Sequence, residues 1–130
     1  MEHVKDFDTW NTLKKFTESR NRPIFHEREI WWCIFGINIG SEQDGEGEQS
    51  LRPVLIIKRI NERVLYCVPL TTKMRQDDSH VAFYFDYNLN TAILSQTKTI
   101  DARRLFQYKA TIRKYTDNKI KKALRTYLLS

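Results

Sequence analysis

The sequence predicts a mainly β chain: a small, strongly bent antiparallel sheet or barrel carrying an N-terminal helix and a C-terminal helix. Three observations lead there. Beyond residue 28 the apolar residues come in short, β-branched and aromatic runs bounded by turn residues, the mark of strands rather than of long amphipathic helices. All four glycines and four carboxylates fall within residues 36–50 (GINIGSEQDGEGEQS), which reads as one long loop. Strands do not alternate with helices, so a parallel nucleotide-binding sheet is not expected, and GINIG lacks the Gly-Lys and helix of a phosphate loop.

The elements follow in order. Val4, Phe7, Trp10, Leu13 and Phe16 recur at helical spacing, so residues 4–20 are expected to form a helix, ended before Pro23 because proline disfavours helical geometry in the residue preceding it. Residues 29–35 (EIWWCIF) are the first strand. Residues 53–59 (PVLIIKR) read as a strand buried on both faces, because the apolar stretch is unbroken. Asn61 and Glu62 turn the chain into a hairpin partner at 64–70. Residues 80–87 alternate, 88–90 are expected to turn into 91–94, and 98–100 and 105–110 are two further short strands. A helix over 117–129, capped by Thr116, would present Ile120, Leu124, Tyr127 and Leu128 as its apolar stripe.

At 130 residues, 41% hydrophobic and 12% aromatic, the chain has the size of one domain and the composition to build a core. One domain is expected over 1–130, with 1–22 a helical appendage and 27–130 the barrel plus its last helix. No apolar run approaches the length of a membrane span, and the polar start has no secretory signal, so a cytoplasmic location is expected. Cys33 and Cys67 each sit in an apolar run and should be buried free thiols in a reducing compartment. They lack metal-ligand spacing, so no zinc site is expected. His3, His26 and His80 are scattered and read as exposed. Net charge is +6, and residues 101–130 hold nine Lys/Arg and two Asp, so the excess lies entirely in that segment. That asymmetry favours a polyanionic partner, nucleic acid or an acidic protein, unless it is only a solvated helix face.

From Arg28 to Pro53 the chain runs through an apolar strand, a glycine loop with Ser41-Glu42-Gln43, and Arg52-Pro53 opening a hydrophobic strand. PLTT at 69–72 and SQTKTID at 95–101, followed by Arg104-Leu105, come next. In this order, these pieces resemble the MazF/PemK toxin family, with the likeness covering about residue 27 to the end. The resemblance implies a Src-homology-3-like barrel with appended helices, usually dimeric. It also implies an endoribonuclease that cuts single-stranded RNA at short sequences and is checked by a cognate antitoxin. By that resemblance Arg52 and Thr71 match the catalytic positions, and Ser41, Glu42, Gln43 and Gln96 match positions near RNA. The chain departs from the pattern twice. The interval from Gln43 to Arg52 is longer than in compact members and carries Asp44, Glu46 and Glu48, and Ser95 stands where some members have an acid.

The chemistry can be weighed on its own terms. Cleavage by the RNA's own 2′-hydroxyl requires that hydroxyl deprotonated, charge on the phosphorane stabilised and the 5′-oxygen protonated. Arg52 suits the second task, since its planar fork pairs phosphate oxygens and stays charged, and for that reason it is a poor base. Thr71 can donate one hydrogen bond, and Glu42 is the candidate general base. Lys73 and Lys98 are candidate phosphate contacts, and Phe83 or Tyr84 could stack bases if not buried. No metal or cofactor is expected. Two rival readings remain: a toxin of the same fold that poisons a topoisomerase such as DNA gyrase, and a catalytically silent RNA- or protein-binding module. The joint presence of Arg52, Thr71 and Gln96 argues against both.

Overall fold

The computed structural model describes residues 21–34 and 51–130. Among them seven strands form one antiparallel sheet: β1 (Glu29–Ile34), β2 (Leu51–Arg59), β3 (Val64–Thr71), β4 (His80–Phe85), β5 (Asn88–Ile93), β6 (Lys98–Asp101) and β7 (Leu105–Thr111). Helix α1 (Lys114–Leu129) follows. The strand order is β4-β5-β3-β2-β1-β7, with β6 also pairing with β3. Strand β3 therefore has two partners along one side: β6 against Val64–Cys67 and β5 against Leu70 and Thr71. Short 3-10 turns at Leu94–Gln96 and Ala102–Arg104 connect β5 to β6 and β6 to β7. The second is the corner that lets the chain leave β6 and return along β1 as β7, curling β7–β1–β2–β3–β6 into a small barrel. The expected mainly β class with a C-terminal helix is what the chain adopts.

The core lies on both sides of β2. Val54 and Ile56 join Cys33, Leu65, Cys67 and Leu105 in one cluster. Leu55 and Ile57 face the other way, with Val68, Phe83, Ile120 and Leu124. Each such side chain contributes roughly 1.5–3 kcal/mol on leaving water, so the unbroken apolar run is explained: β2 has no solvent face until Lys58 and Arg59, which are exposed. Phe83 is buried here, whereas Tyr84, next to it, is exposed, as strand alternation requires.

Two expectations are corrected. The β4–β5 turn lies at Asp86-Tyr87 and not at 88–90: Phe85 pairs with Asn88, and Asn88–Ile93 is strand. Asp86 and Tyr87 have φ of 52° and 62°, the left-handed geometry of a tight two-residue hairpin, which normally selects Asn-Gly. A tyrosine in that place conceals the turn from a sequence reading. Helix α1 begins at Lys114, three residues early, with Arg113 as its N-cap and no side chain capping it. Thr116 is thus inside the first turn and is not the cap. The buried positions are Asp117, Ile120 and Leu124, while Leu128 of the expected stripe is exposed. The expected N-terminal helix and the loop at 36–50 lie outside the described residues.

Asp101 closes the barrel corner. It accepts bonds from Arg22 Nη2 at 2.9 Å and from the Arg103 amide at 2.8 Å, and so caps the 3-10 turn. Partial burial pushes its pKa up, but the hydrogen bonds from Arg22 and Arg103 outweigh that and hold the carboxyl well below the usual carboxylate range. A depressed folded pKa gives stability that is present above the unfolded value, near about 4, and is lost as pH falls through the folded value. Asp101→Asn is therefore expected to lower the melting temperature by a few degrees at neutral pH. That gap should close as the pH is taken well below 4 (about the unfolded value), and thermal melts across pH would check this. A gap that is constant with pH would remove the ionised carboxylate from the account.

Candidate active site

Arg52 pairs with Cys33 across the β1–β2 ladder. On its other side the β2–β3 register runs Val54 to Pro69, Leu55 to Val68 and Ile56 to Cys67. Carried two residues further, it sets Arg52 against Thr71. Thr71 in turn pairs with Thr91 of β5, and Thr91 with Ala82 of β4. Opposite residues of an antiparallel pair project to the same face with Cβ atoms about 4.5–5.5 Å apart. Cys33, Arg52, Thr71 and Thr91 therefore form one row across the sheet. Residues distant in sequence, and each unremarkable alone, are brought side by side by register.

Arg52 is 3% exposed and donates from Nη1 to the Leu70 carbonyl at 3.2 Å. That bond fixes the guanidinium, and its burial means the charge acts through a poorly screened interior. Thr71, 7% exposed, ends β3. Its hydroxyl oxygen accepts the Lys73 amide at 3.2 Å, which leaves the hydroxyl proton to donate elsewhere. Lys73 is exposed on the segment that leaves β3. Gln96 ends the 3-10 turn after β5, and Lys98 opens β6 opposite Cys67. Both are half-buried beside β3, whereas Ser95 is exposed. Ser41, Glu42 and Gln43 lie outside the described residues.

Arg104 adds a cation for which sequence reasoning found no role. It sits on the 3-10 corner before β7 and donates from Nη1 to the Ile34 carbonyl at 3.0 Å. Burial pushes the Cys33 thiol up, Cys67 adds to this, and Arg104 and Lys98 partly offset it. Arg104 and Lys98 therefore both act on the Cys33 end of the Arg52 row. Burial likewise pushes Cys67 up to about 12, with Lys98 opposing. Both cysteines are free and buried, and they are held as inert thiols rather than nucleophiles.

The histidines need one correction. His26 is exposed, but the His80 side chain is only 14% exposed and places Nδ1 2.6 Å from Asp77 Oδ1. The same oxygen accepts the Ser79 amide at 2.9 Å and its hydroxyl at 2.7 Å. The His80 hydrogen bond, then those from Ser79, lower the Asp77 pKa to about 2. This cluster pins the segment between β3 and β4, and nothing in the local sequence announced it.

The chain belongs to the family of PemK-like, MazF-like toxins of type II toxin–antitoxin systems, whose model matches residues 26–128. Its fold is similar to that of an endoribonuclease solved in complex with its cognate antitoxin from a Mycobacterial species, at 22% identity over 82% of this chain and 94% of that one, with a TM-score of 0.59. It is also similar to MazF from Deinococcus radiodurans, at 15% identity over 85% of this chain and 100% of that one, TM-score 0.63. A Mycobacterium tuberculosis MazF toxin aligns at 16% identity over 78% of this chain and 96% of that one, TM-score 0.59. At these identities the likeness speaks for the fold. No curated protein sequence matches the chain. No helix among the described residues is long and apolar enough to cross a membrane.

Proposed function

We propose that the chain is a sequence-selective endoribonuclease toxin that cuts single-stranded RNA by 2′-hydroxyl attack, without a metal, and is held in check by an antitoxin. What supports this reading is the β2–β3 register, which, carried past Val54 and Pro69, sets Arg52 opposite Thr71 within the part of the chain that matches the toxin family. Arg52 pairs the scissile phosphate and neutralises charge as the phosphorane forms, and being already oriented by Leu70 it needs little reorganisation. Thr71 donates a hydrogen bond to a non-bridging oxygen. Glu42 takes the 2′-proton as general base, the P–O5′ bond breaks as the 2′,3′-cyclic phosphate closes, and the leaving 5′-oxygen takes its proton from water. Ser41, Gln43, Lys73, Gln96 and Lys98 hold the strand on either side. The protein works as a cytoplasmic homodimer, and an acidic, initially disordered segment of the antitoxin folds onto the basic α1 surface, where Lys122 and Arg125 are exposed.

The deciding experiment incubates the protein with single-stranded RNA and, separately, with supercoiled DNA and a topoisomerase. RNA cut in the first tube, with the second unaffected, supports the reading; topoisomerase-dependent DNA breaks with intact RNA would replace it by the poison. Thr71→Ala is expected to slow cleavage about tenfold, the scale of one hydrogen bond, mainly in kcat. A kcat equal to that of the unaltered protein would take Thr71 out of the mechanism.

A further inference from the structure

Beyond the Arg52–Thr71 row, the β4–β5 hairpin ends in a groove of about 440 Å³ between its tip and the start of α1, lined by Tyr84, Tyr87, Thr111, Arg113 and Thr116 among others. Tyr84 is 72% exposed and Tyr87 fully so, and Tyr115, next to Thr116, is 81% exposed. Two of these rings, Tyr84 and Tyr87, line the groove, and the core needs neither. Tyr87 is in addition held at φ 62°, where a side chain with a bulky ring is disfavoured and glycine or asparagine is preferred. The hairpin thus keeps a ring at its tip against the preference of its own turn. A backbone outlier of this kind points to a use.

The surroundings narrow that use. Among the lining residues the one cation is Arg113 and the one acid is Asp86. Besides the tyrosines the apolar lining is Phe85 and Ile112, of which Ile112 is buried, so little aliphatic floor is open to a protein anchor. Exposed aromatic faces beside a cation match a single-stranded nucleic acid, whose bases stack and whose phosphates pair. The groove also continues the proposed site. Tyr84 shares a face with Ala82, which pairs with Thr91, the partner of Thr71. From Thr91 to the hairpin tip is three residues of β5, about 10 Å.

We propose that this groove is a second contact for single-stranded RNA. Bases flanking the segment held at Arg52 and Thr71 stack on Tyr84 and Tyr87, and Arg113 takes a phosphate. This rests on the endoribonuclease reading for the direction of the strand, not for the groove's chemistry.

The test measures binding of fluorescent 2′-O-methyl RNA, which cannot be cut, in a long and a short form, to the unaltered protein and to Tyr84→Ala, Tyr87→Gly and Arg113→Gln. Each change is expected to weaken the long strand about five- to tenfold, the scale of one lost base stack, and to leave the short strand little altered. Tyr87→Gly should at the same time raise the melting temperature, because it relieves the turn, so affinity and stability move in opposite directions. Equal binding of the long strand by all variants overturns the proposal, as does weakening of long and short strands alike. Polyglutamate bound through the tyrosines in place of RNA overturns it in favour of an acidic polypeptide. If Arg52→Ala cuts RNA normally while the tyrosine variants lose the long strand, the catalytic reading falls and the groove stands.

Discussion

Arg52→Ala is expected to cut RNA about a hundred- to thousandfold more slowly than the unaltered protein, the usual loss when one preorganised donor is withdrawn from a developing oxyanion. The position makes the loss hard to replace. Arg52 is oriented by the Leu70 carbonyl and lies in a row with Thr71, and Lys98 and Arg104 act on the Cys33 end of that row. Truncation also strips Leu70 of a donor, at a stability cost of about 1–3 kcal/mol, so rate and melting temperature must be read together. Arg52→Lys separates the two effects: it keeps the charge and loses the fork, and should recover only part of the rate. A folded Arg52→Ala protein with near-normal turnover would mean that the phosphate is held elsewhere.

An RNA with a single 2′-deoxy sugar at the cut position should not be cleaved there, an effect larger than any single side-chain change because the nucleophile itself is gone. Chelator should leave cleavage of the ordinary strand unchanged, and the downstream fragment should carry a 5′-hydroxyl that a polynucleotide kinase labels directly. Cleavage of the deoxy strand at the normal rate would require an external nucleophile, and loss of activity in chelator would require a metal. Either result would replace the 2′-hydroxyl mechanism while leaving Arg52 as a phosphate clamp.

The strands were legible in the sequence wherever one physical rule dominated. The run from Val54 to Ile57 announced two-sided burial because every position is apolar, and the structure buries all four. The C-terminal helix was legible from Ile120 and Leu124, but its start was not, since Arg113 caps it without the usual side-chain oxygen. The β4–β5 turn was missed because Asp86-Tyr87 takes a conformation that its residues do not advertise. At the site, Arg52 and Thr71 were named from the family's motif order, while their adjacency is a matter of register, set by strands that no local window contains. Arg104 and the Asp77–His80 contact could not be anticipated in the same way, because each depends on where a corner or a turn brings two segments together.

Strand β3 pairs with β2 along one edge, and along the other its first half belongs to the β6 ladder and its last residues to the β5 ladder. It is the seam at which the barrel and the β4–β5 hairpin are joined, and Thr71 stands on the seam. Melting the hairpin would therefore free the end of β3, and with it the residue that the register sets opposite Arg52. On the proposed mechanism, catalytic competence is then an all-or-none property of the molecule. On that reading a partly unfolded chain, as it emerges during synthesis or passes through a protease, does not cut the RNA around it.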